Sequence, residues 1–223
     1  MKIGIVGGTG GMGNGFALRW CINHDILIGS RDASRATSAA EEYTKLANEI
    51  YGKVNGIIKG NDNLSIAKEA DVLILSIPYE NIDSTCSQLL PEIKDECVVV
   101  SPIVPMTKTE AGFEFIPLKD GKPFSYQLVV KYMKDKSKLV SAFHVISEKK
   151  LADPTLILDY DIFVCGDDNN SVKIVNGLIN EIKGLRPIYL GEGSLSYFAE
   201  MTTPLLLNAM IKNKLKNPGI KIV

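Results

Sequence analysis

The chain of 223 residues lacks several features that mark particular classes of protein. No apolar run reaches the ~20 residues that a membrane-spanning helix needs. The N-terminus opens directly into an apolar strand pattern, without the basic segment and small-residue cleavage site of a signal peptide. The formal net charge is only −1, so no overall positive field would attract nucleic acid or anionic lipid. We therefore expect a cytoplasmic, globular protein that binds neither nucleic acid nor a membrane.

Cysteine and histidine are both scarce. No two cysteines form a C-x-x-C pair, which argues against a zinc site or a dithiol redox motif. Of the two histidines, His24 precedes the second strand pattern and is expected at the surface. His144 follows an apolar strand pattern closely and is expected to face a cleft or a polar partner. No metal site is predicted, and we expect reduced, buried thiols at all four cysteines, Cys21, Cys86, Cys97 and Cys165.

Apolar strand patterns alternate with helical patterns along almost the whole chain, which predicts parallel βαβ units. The predicted strands are residues 2–7, 26–29, 56–59, 71–78, 97–104, 139–146, 160–165 and 187–190. The predicted helices are residues 11–21, 33–51, 63–70, 82–93, 125–134, 171–182 and 194–214, and residues 105–123 break the alternation. The predicted fold class is α/β, a Rossmann-type doubly wound parallel sheet with a small C-terminal α/β lobe. Charges and a proline near 148–158 place the boundary between residues 1–150 and residues 151–223.

A glycine-rich segment joins the first predicted strand to the first predicted helix. Gly8, Gly10 and Gly13 form a G-x-G-x-x-G motif. Gly8 would allow the tight turn, Gly10 would let a pyrophosphate approach the backbone, and Gly13 would let the helix pack on the strand. The helix N-terminus would add unpaired N–H groups for the diphosphate. This segment predicts a dinucleotide site in a Rossmann domain of residues 1–150.

The end of the second predicted strand indicates which dinucleotide binds. An NAD enzyme usually places Asp or Glu there, to bind the ribose 2′-hydroxyl. This strand instead ends in Ser30 and Arg31, and Arg35 follows four residues later. A hydroxyl and two guanidinium groups suit a dianionic 2′-phosphate. We therefore predict NADP(H) and interpret the neighbouring Asp32 as the N-cap of the next helix.

Two further strand ends are expected to line the cofactor site, because open α/β sheets bind ligands beyond the carboxyl ends of their strands. In each of them a proline marks a sharp exit from the strand. The expected lining residues are Ser76, Ile77 and Pro78 after one strand and Val104 after the next.

The sequence shows no acid–base pair that would protonate a substrate carbonyl. Hydride exchange between two organic cofactors needs no such pair, because the cofactors carry the chemistry and the protein sets distance and orientation. No obligatory catalytic residue is therefore predicted, and His144 is a candidate for positioning a cofactor ring.

Together these residues resemble the F420-dependent NADP reductases, a family of archaea and some bacteria. The resemblance covers nearly the whole chain, and its most specific parts lie in the C-terminal third. It includes 7–10, 28–31, 77–78, 100–102, 141–144, Val164-Cys165-Gly166-Asp167-Asp168, Gly184-Leu185-Arg186-Pro187, 205–210 and Gly219-Ile220-Lys221. The segment Ser147-Glu148-Lys149-Lys150 departs from the small, apolar continuation expected after Ile146.

The resemblance implies NADP on the N-terminal domain and coenzyme F420 in the cleft to the C-terminal lobe. The residues it implies for NADP are Thr9, Gly10, Gly11, Met12, Ser30, Arg31 and Arg35, in addition to Gly8 of the glycine motif. His144, Val145 and Ile146 would lie near the two rings, and Pro218 and Gly219 would touch the deazaflavin. Lysines around residues 212–221 would attract the anionic tail of F420.

The predicted function is direct, reversible hydride transfer between reduced F420 and NADP⁺. Two alternatives stay open at this point. One is an NADP-binding redox sensor without turnover, and the other is an NADPH-dependent reductase of flavin, ferric iron or a small keto acid. We also expect a homo-oligomer, specifically a dimer.

Overall fold

The computed structural model describes all 223 residues, and eight of its strands form one sheet. The strand order in this sheet is β10-β9-β8-β5-β4-β1-β2-β3, and β6 and β7 form a separate two-stranded sheet. The strands are β1 Lys2–Val6, β2 Asp25–Ser30, β3 Ile58–Asp62, β4 Val72–Leu75, β5 Val98–Ser101, β6 Met106–Lys108, β7 Phe113–Phe115, β8 Leu139–Ser141, β9 Tyr160–Gly166 and β10 Leu185–Gly191.

The direction of the strands changes once across the sheet. Strands β3, β2, β1, β4, β5 and β8 are mutually parallel, as predicted. Strand β9 pairs antiparallel with β8 through only two residue pairs, Val140 with Gly166 and Ser141 with Cys165. Residues 160–164 of β9 therefore extend beyond the carboxyl end of β8, by ~15 Å at the usual rise of a strand. Together with the parallel β10, they form a wall beside the carboxyl edge of the sheet.

Helices cover both faces of the sheet. One buried cluster of 34 residues packs α1, α2, α7 and α8 on one face, and a second cluster of 20 residues packs α3, α4 and α6 on the other. The helices are α1 Gly11–Trp20, α2 Ala33–Tyr51, α3 Asn63–Glu69, α4 Ile82–Leu89, α5 Ile116–Asp120, α6 Ser125–Val129, α7 Glu148–Leu151, α8 Asn169–Glu181 and α9 Ser196–Asn213. None of these helices is long and apolar enough to cross a membrane.

Most predicted elements are confirmed within a few residues, and the helix at 33–51 begins and ends where it was predicted. The prediction of one strand over 139–146 is wrong in its second half, because β8 ends at Ser141 and the chain then turns. The broken segment 105–123 contains the β6–β7 hairpin and α5. The division into domains stays a prediction, since residues on both sides of 150 share the sheet and the larger core cluster.

Two predictions about single side chains have opposite outcomes. All four cysteines are free and buried, as expected. His24 was expected at the surface, and this prediction is wrong, since the residue is buried. Its Nε2 lies 2.9 Å from the Glu181 carboxylate of α8. A carboxylate partner lets a polar ring sit under the surface without losing its hydrogen bond.

Candidate cofactor site

The glycine-rich loop between β1 and α1 has the geometry of a diphosphate cradle. A Cβ atom on Gly13 would lie 2.1 Å from the Gly8 carbonyl oxygen, so this position must be glycine for α1 to start against the loop. A Cβ atom on Gly10 would meet nothing within 4 Å, which leaves open space beside the first turn of α1. Gly7 adopts a positive φ of 69°, and a Cβ atom on Gly8 would lie 2.8 Å from the Ile5 carbonyl oxygen, so the tight turn requires both glycines. The backbone at Gly10 is therefore open to the approach of a ligand group.

The end of β2 presents two free guanidinium groups. Arg31 and Arg35 are exposed, and neither takes part in the salt bridges of the structure. Ser30 is nearly buried, and its Oγ accepts a hydrogen bond of 3.2 Å from the Asp32 amide. Asp32 caps α2 by accepting from the Ser34 amide, as predicted. The hydroxyl proton of Ser30 and both guanidinium groups stay available for an anion.

A cavity of about 580 Å³ lies beyond the carboxyl ends of β1, β4, β5 and β8. Of its 22 lining residues, 13 are hydrophobic, which suits flat aromatic rings with few polar groups. The cavity brings together nine of the predicted site residues, Met12, Ser76, Ile77, Pro78, Val104, His144, Val145, Ile146 and Pro218. Thr9, Gly10 and Gly11 line a separate groove that runs from the glycine loop between α1 and α2.

A tight turn after β8 directs His144 into the cavity. Phe143 adopts a left-handed conformation with φ of 71°, which costs a bulky residue roughly 1–3 kcal/mol. Its ring packs edge-on against Phe16 and Trp20, with centroid distances of 5.1 and 5.8 Å. This buried aromatic cluster holds the strained turn in place. The turn was not predictable from the sequence, because Phe143 continues the apolar pattern of β8.

Burial determines the charge state of His144. The ring is nearly inaccessible, and desolvation lowers the pKa of His144 to about 3. Its Nε2 lies 3.4 Å from the Ser141 hydroxyl, and its Nδ1 is buried without a partner. Thr203 of α9 donates a hydrogen bond of 2.5 Å to the His144 carbonyl. The result is a neutral imidazole in the cavity wall whose Nδ1 is buried.

Helix α7 packs directly on α1 beside the glycine loop. Gly15 provides the room, since a Cβ atom there would lie 2.6 Å from the Leu151 side chain. The buried Arg19 of α1 fixes the segment by donating to the carbonyls of residues 150, 151, 153 and 156. Glu148 consequently reaches Gly11, where a Cβ atom would lie 2.1 Å from its carboxylate oxygen. The segment that departs from the family pattern thus borders the predicted diphosphate loop.

The C-terminal tail returns along β9 and closes one side of the cavity. Asn217 and Pro218 line the cavity, whereas Gly219 faces the ring of Tyr160 and is not among the lining residues. The Asp161 amide donates to the Ile220 carbonyl at 2.7 Å, and the Ile222 amide donates to the Asp161 carboxylate at 2.6 Å. Arg186 forms a bidentate salt bridge with Asp161, which holds the pKa of that carboxyl below its usual range. Side chains of the sheet therefore anchor the tail.

Several residues that line the cavity were not predicted from the sequence. Met106 belongs to the segment in which no regular element was predicted, and Thr203 occurs inside a long apolar helix. No motif identifies either residue, because both reach the cavity only through packing of α9 and the hairpin beside β5. The missed α9 residues are Leu206, Leu207 and Met210.

Known proteins resemble this chain along its whole length. Residues 2–105 match the family described as "NADP oxidoreductase coenzyme F420-dependent". An F420-dependent NADP reductase of Methanocaldococcus jannaschii is 43% identical, with 100% of this chain and 98% of that protein covered. Its counterpart in Methanothermobacter marburgensis is 34% identical, with the same coverage.

The fold is shared with a solved structure as well. The crystal structure of a candidate F420-dependent NADP reductase from Arthrobacter sp. FB24 matches with a TM-score of 0.80, at 18% identity, over 100% of this chain and 99% of that one. With full-length relatives of 43% and 34% identity, the chain belongs to the family of F420-dependent NADP reductases.

Proposed function

We propose that this chain transfers a hydride reversibly between reduced coenzyme F420 and NADP⁺. The observation that carries the proposal is the single cavity that begins at Met12, beside the glycine loop, and continues to α9 and the tail. A volume of about 580 Å³ leaves room for a second flat ring beside a nicotinamide. The balanced reaction is reduced F420 and NADP⁺ giving F420, NADPH and one proton.

In this scheme, residues of the protein bind the two cofactors and orient their rings. We assign the glycine loop to the diphosphate of NADP, and Ser30, Arg31 and Arg35 to its 2′-phosphate. When bound, the nicotinamide and the deazaflavin supply the two carbon atoms between which the hydride passes. The apolar walls exclude water, and we assign the neutral His144, which lines the cavity, to positioning a cofactor ring. With a pKa of about 3, His144 does not act as an imidazolium acid at neutral pH.

One assay tests the proposed function. Purified protein is mixed with NADPH and oxidised F420, and the visible absorbance of the deazaflavin is followed. We expect rapid loss of this absorbance that depends on both the protein and NADPH. Tight NADPH binding without turnover of F420 would instead identify a sensor. Turnover of a flavin or ferric iron without F420 would identify another NADPH-dependent reductase.

We also propose that the chain forms a dimer through α9. Phe198 and Leu205 lie seven residues apart on one face of this helix, with exposed fractions of 47% and 59%. Thr202 and Ala209 complete an uncharged stripe between and beyond them. Size-exclusion chromatography coupled to light scattering should show a dimer for the wild type and a monomer for Leu205→Glu. Leu118→Glu, at an exposed position of α5, is the matched control and should stay dimeric.

A cytoplasmic location is part of the proposal. Four free, buried thiols suit a reducing compartment. Recovery of the protein with cytoplasmic markers after cell fractionation would support this location.

A further inference from the structure

The hairpin formed by β6 and β7 stands apart from the main sheet and borders the cavity. Its two strands pair only with each other, and Met106 at its base lines the cavity. The backbone closes the base through a hydrogen bond of 2.9 Å from the Ile116 amide to the Pro105 carbonyl. A two-stranded hairpin is marginally stable by itself in water. Its position at the cavity must therefore be maintained by contacts with other elements.

Asn208 of α9 provides the hydrogen bonds between this helix and the hairpin. Its Oδ1 accepts from the Phe113 amide at 2.8 Å, and its Nδ2 donates to the Phe113 carbonyl at 2.7 Å. The side-chain amide thus satisfies both backbone groups of one residue, as a neighbouring strand would. Gly112 makes the approach possible, since its φ is 141° and a Cβ atom there would lie 2.2 Å from Oδ1. Leu206, Leu207 and Met210 surround Asn208 in sequence and line the cavity.

We propose that Asn208 is a positioning residue for the second cofactor, because it fixes the hairpin as the outer wall of the ring site. The inference rests on the proposed function. The glycine loop follows β1, whereas the hairpin follows β5, two strands and ~10 Å away across the sheet. NADP is assigned to the glycine-loop side, so the wall built by Met106 and α9 faces the ligand that enters from the other side. Asn208 therefore determines affinity for F420 and not for NADP(H).

Asn208→Ala tests the proposal with two readouts. Hydrogen exchange of the Phe113 amide, followed by NMR, reports the contact independently of activity and should become at least about tenfold faster. The KM for F420 should rise about tenfold, the equivalent of one net hydrogen bond, while the KM for NADP(H) stays within about twofold. Asn208→Asp keeps the acceptor for the Phe113 amide and loses the donor. Because a carboxylate oxygen would then face the Phe113 carbonyl without a proton to donate, it should raise the KM for F420 about tenfold, as Asn208→Ala does.

Asn213→Ala is the matched control, because Asn213 is an exposed residue of α9 whose side chain bonds only to the backbone of its own helix. It should leave both readouts unchanged. An active enzyme in which Asn208→Ala speeds the Phe113 exchange but alters neither KM would overturn the assignment of Asn208. A parallel rise of both KM values would overturn it too. A wild-type protein that does not turn over F420 would instead overturn the proposed function.

Discussion

At the scale of single residues, we assign the choice of dinucleotide to the side chains that follow β2. The guanidinium groups of Arg31 and Arg35 take part in none of the salt bridges of the structure. A carboxylate at this strand end would bind a 2′-hydroxyl and repel a 2′-phosphate. We therefore propose that Arg31 and Arg35 favour NADP over NAD.

We expect Arg31→Ala to raise the KM for NADP at least about tenfold, since one charge-assisted phosphate contact contributes ~1.5–3 kcal/mol. Use of NAD should be nearly unchanged, because NAD has no 2′-phosphate. Steady-state kinetics with both dinucleotides measure the effect. Lys45→Ala, which removes an exposed cation from the outer face of α2, serves as the control. Equal losses with NADP and NAD would contradict the assignment.

His144 should orient a ring and should not deliver an obligatory proton. Replacement by Ala removes one hydrogen-bonding nitrogen from the cavity wall, so turnover should fall about 10- to 100-fold. Because burial lowers the pKa of His144 to about 3, the wild-type rate should show no histidine ionisation between pH 5 and 8. His144→Gln, which retains an N–H, should recover part of the rate. A loss beyond roughly 10⁵-fold in folded protein would reveal an acid–base mechanism.

At the scale of elements, we expect Gly10 and Gly13 of the loop to have different roles, one in cofactor binding and the other in folding. Gly10→Ala should leave the free energy of unfolding within ~1 kcal/mol of wild type, because its Cβ would enter open space. It should nevertheless weaken NADPH binding at least about tenfold, since the methyl group occupies the approach of the diphosphate. Gly13→Ala should instead destabilise the fold by ~1–3 kcal/mol, because its Cβ would meet the Gly8 carbonyl. Thermal denaturation and fluorescence titration separate the two effects. A stable Gly10→Ala variant with unchanged affinity would refute the diphosphate assignment.

The elements show what sequence reasoning could and could not predict. Strands and helices whose residues alternate regularly were found nearly at their observed ends, because local periodicity determines them. The turn at Phe143 was missed, because it is held by Phe16 and Trp20, which are distant in sequence. The antiparallel direction of β9 was missed for a similar reason, since strand pairing is a non-local contact.

The motifs most specific to the family turn out to have structural contacts. Asp168 caps α8, and Asp167 accepts hydrogen bonds from the Gly193 amide and the Tyr126 hydroxyl. Arg186 holds Asp161 and the tail. None of these residues lines the cavity, so the most specific parts of the resemblance hold β9, α8 and the tail in place and do not themselves identify the lining.

The tail near the cavity should contribute to F420 binding by charge. Three exposed lysines precede Asn217 and Pro218 at the cavity, and F420 carries a phosphodiester and glutamate groups. Replacing them together by Gln should weaken F420 binding severalfold at low salt and less at high salt, with NADPH affinity unchanged. This test avoids deleting the tail, which would also expose the buried carboxylate of Asp161. The substituted lysines are Lys212, Lys214 and Lys216, and the control set is Lys131, Lys134 and Lys136. Equal effects of the two sets would show that the tail has no special part.

At the scale of the whole molecule, α9 connects three segments that border or support the cavity. Thr203 bonds the turn at His144, Asn208 bonds the hairpin, and Glu200 bonds the start of α6. These three segments keep their positions only if α9 keeps its own, because each of them is hydrogen-bonded to this helix. The stability of the fold and the shape of the cavity are therefore coupled through this helix.

Glu200 makes this coupling sensitive to pH. Its carboxylate accepts the Ser125 and Tyr126 amides at 2.8 and 3.0 Å, yet burial dominates and raises the pKa of Glu200 to about 8. In the unfolded chain the group has its ordinary pKa near 4.5. Between these values the unfolded state has lost the proton and the folded state retains it. Stability contributed by the neutral form is therefore fully present below about pH 4.5 and is lost as the pH rises toward 8.

We expect Glu200→Gln to remove this dependence of the unfolding free energy on pH. Relative to the variant, the wild type should lose roughly 2–4 kcal/mol of unfolding free energy between pH 4.5 and pH 8.5. Any fixed cost of placing a side-chain amide against the Tyr126 N–H is independent of pH and cancels in the comparison of slopes. Urea denaturation at several pH values measures both proteins, and Glu192→Gln, at an exposed position preceding the same helix, is the control. If wild type and Glu200→Gln show parallel pH profiles, Glu200 is ionised in the folded protein, and the capping hydrogen bonds outweigh its burial.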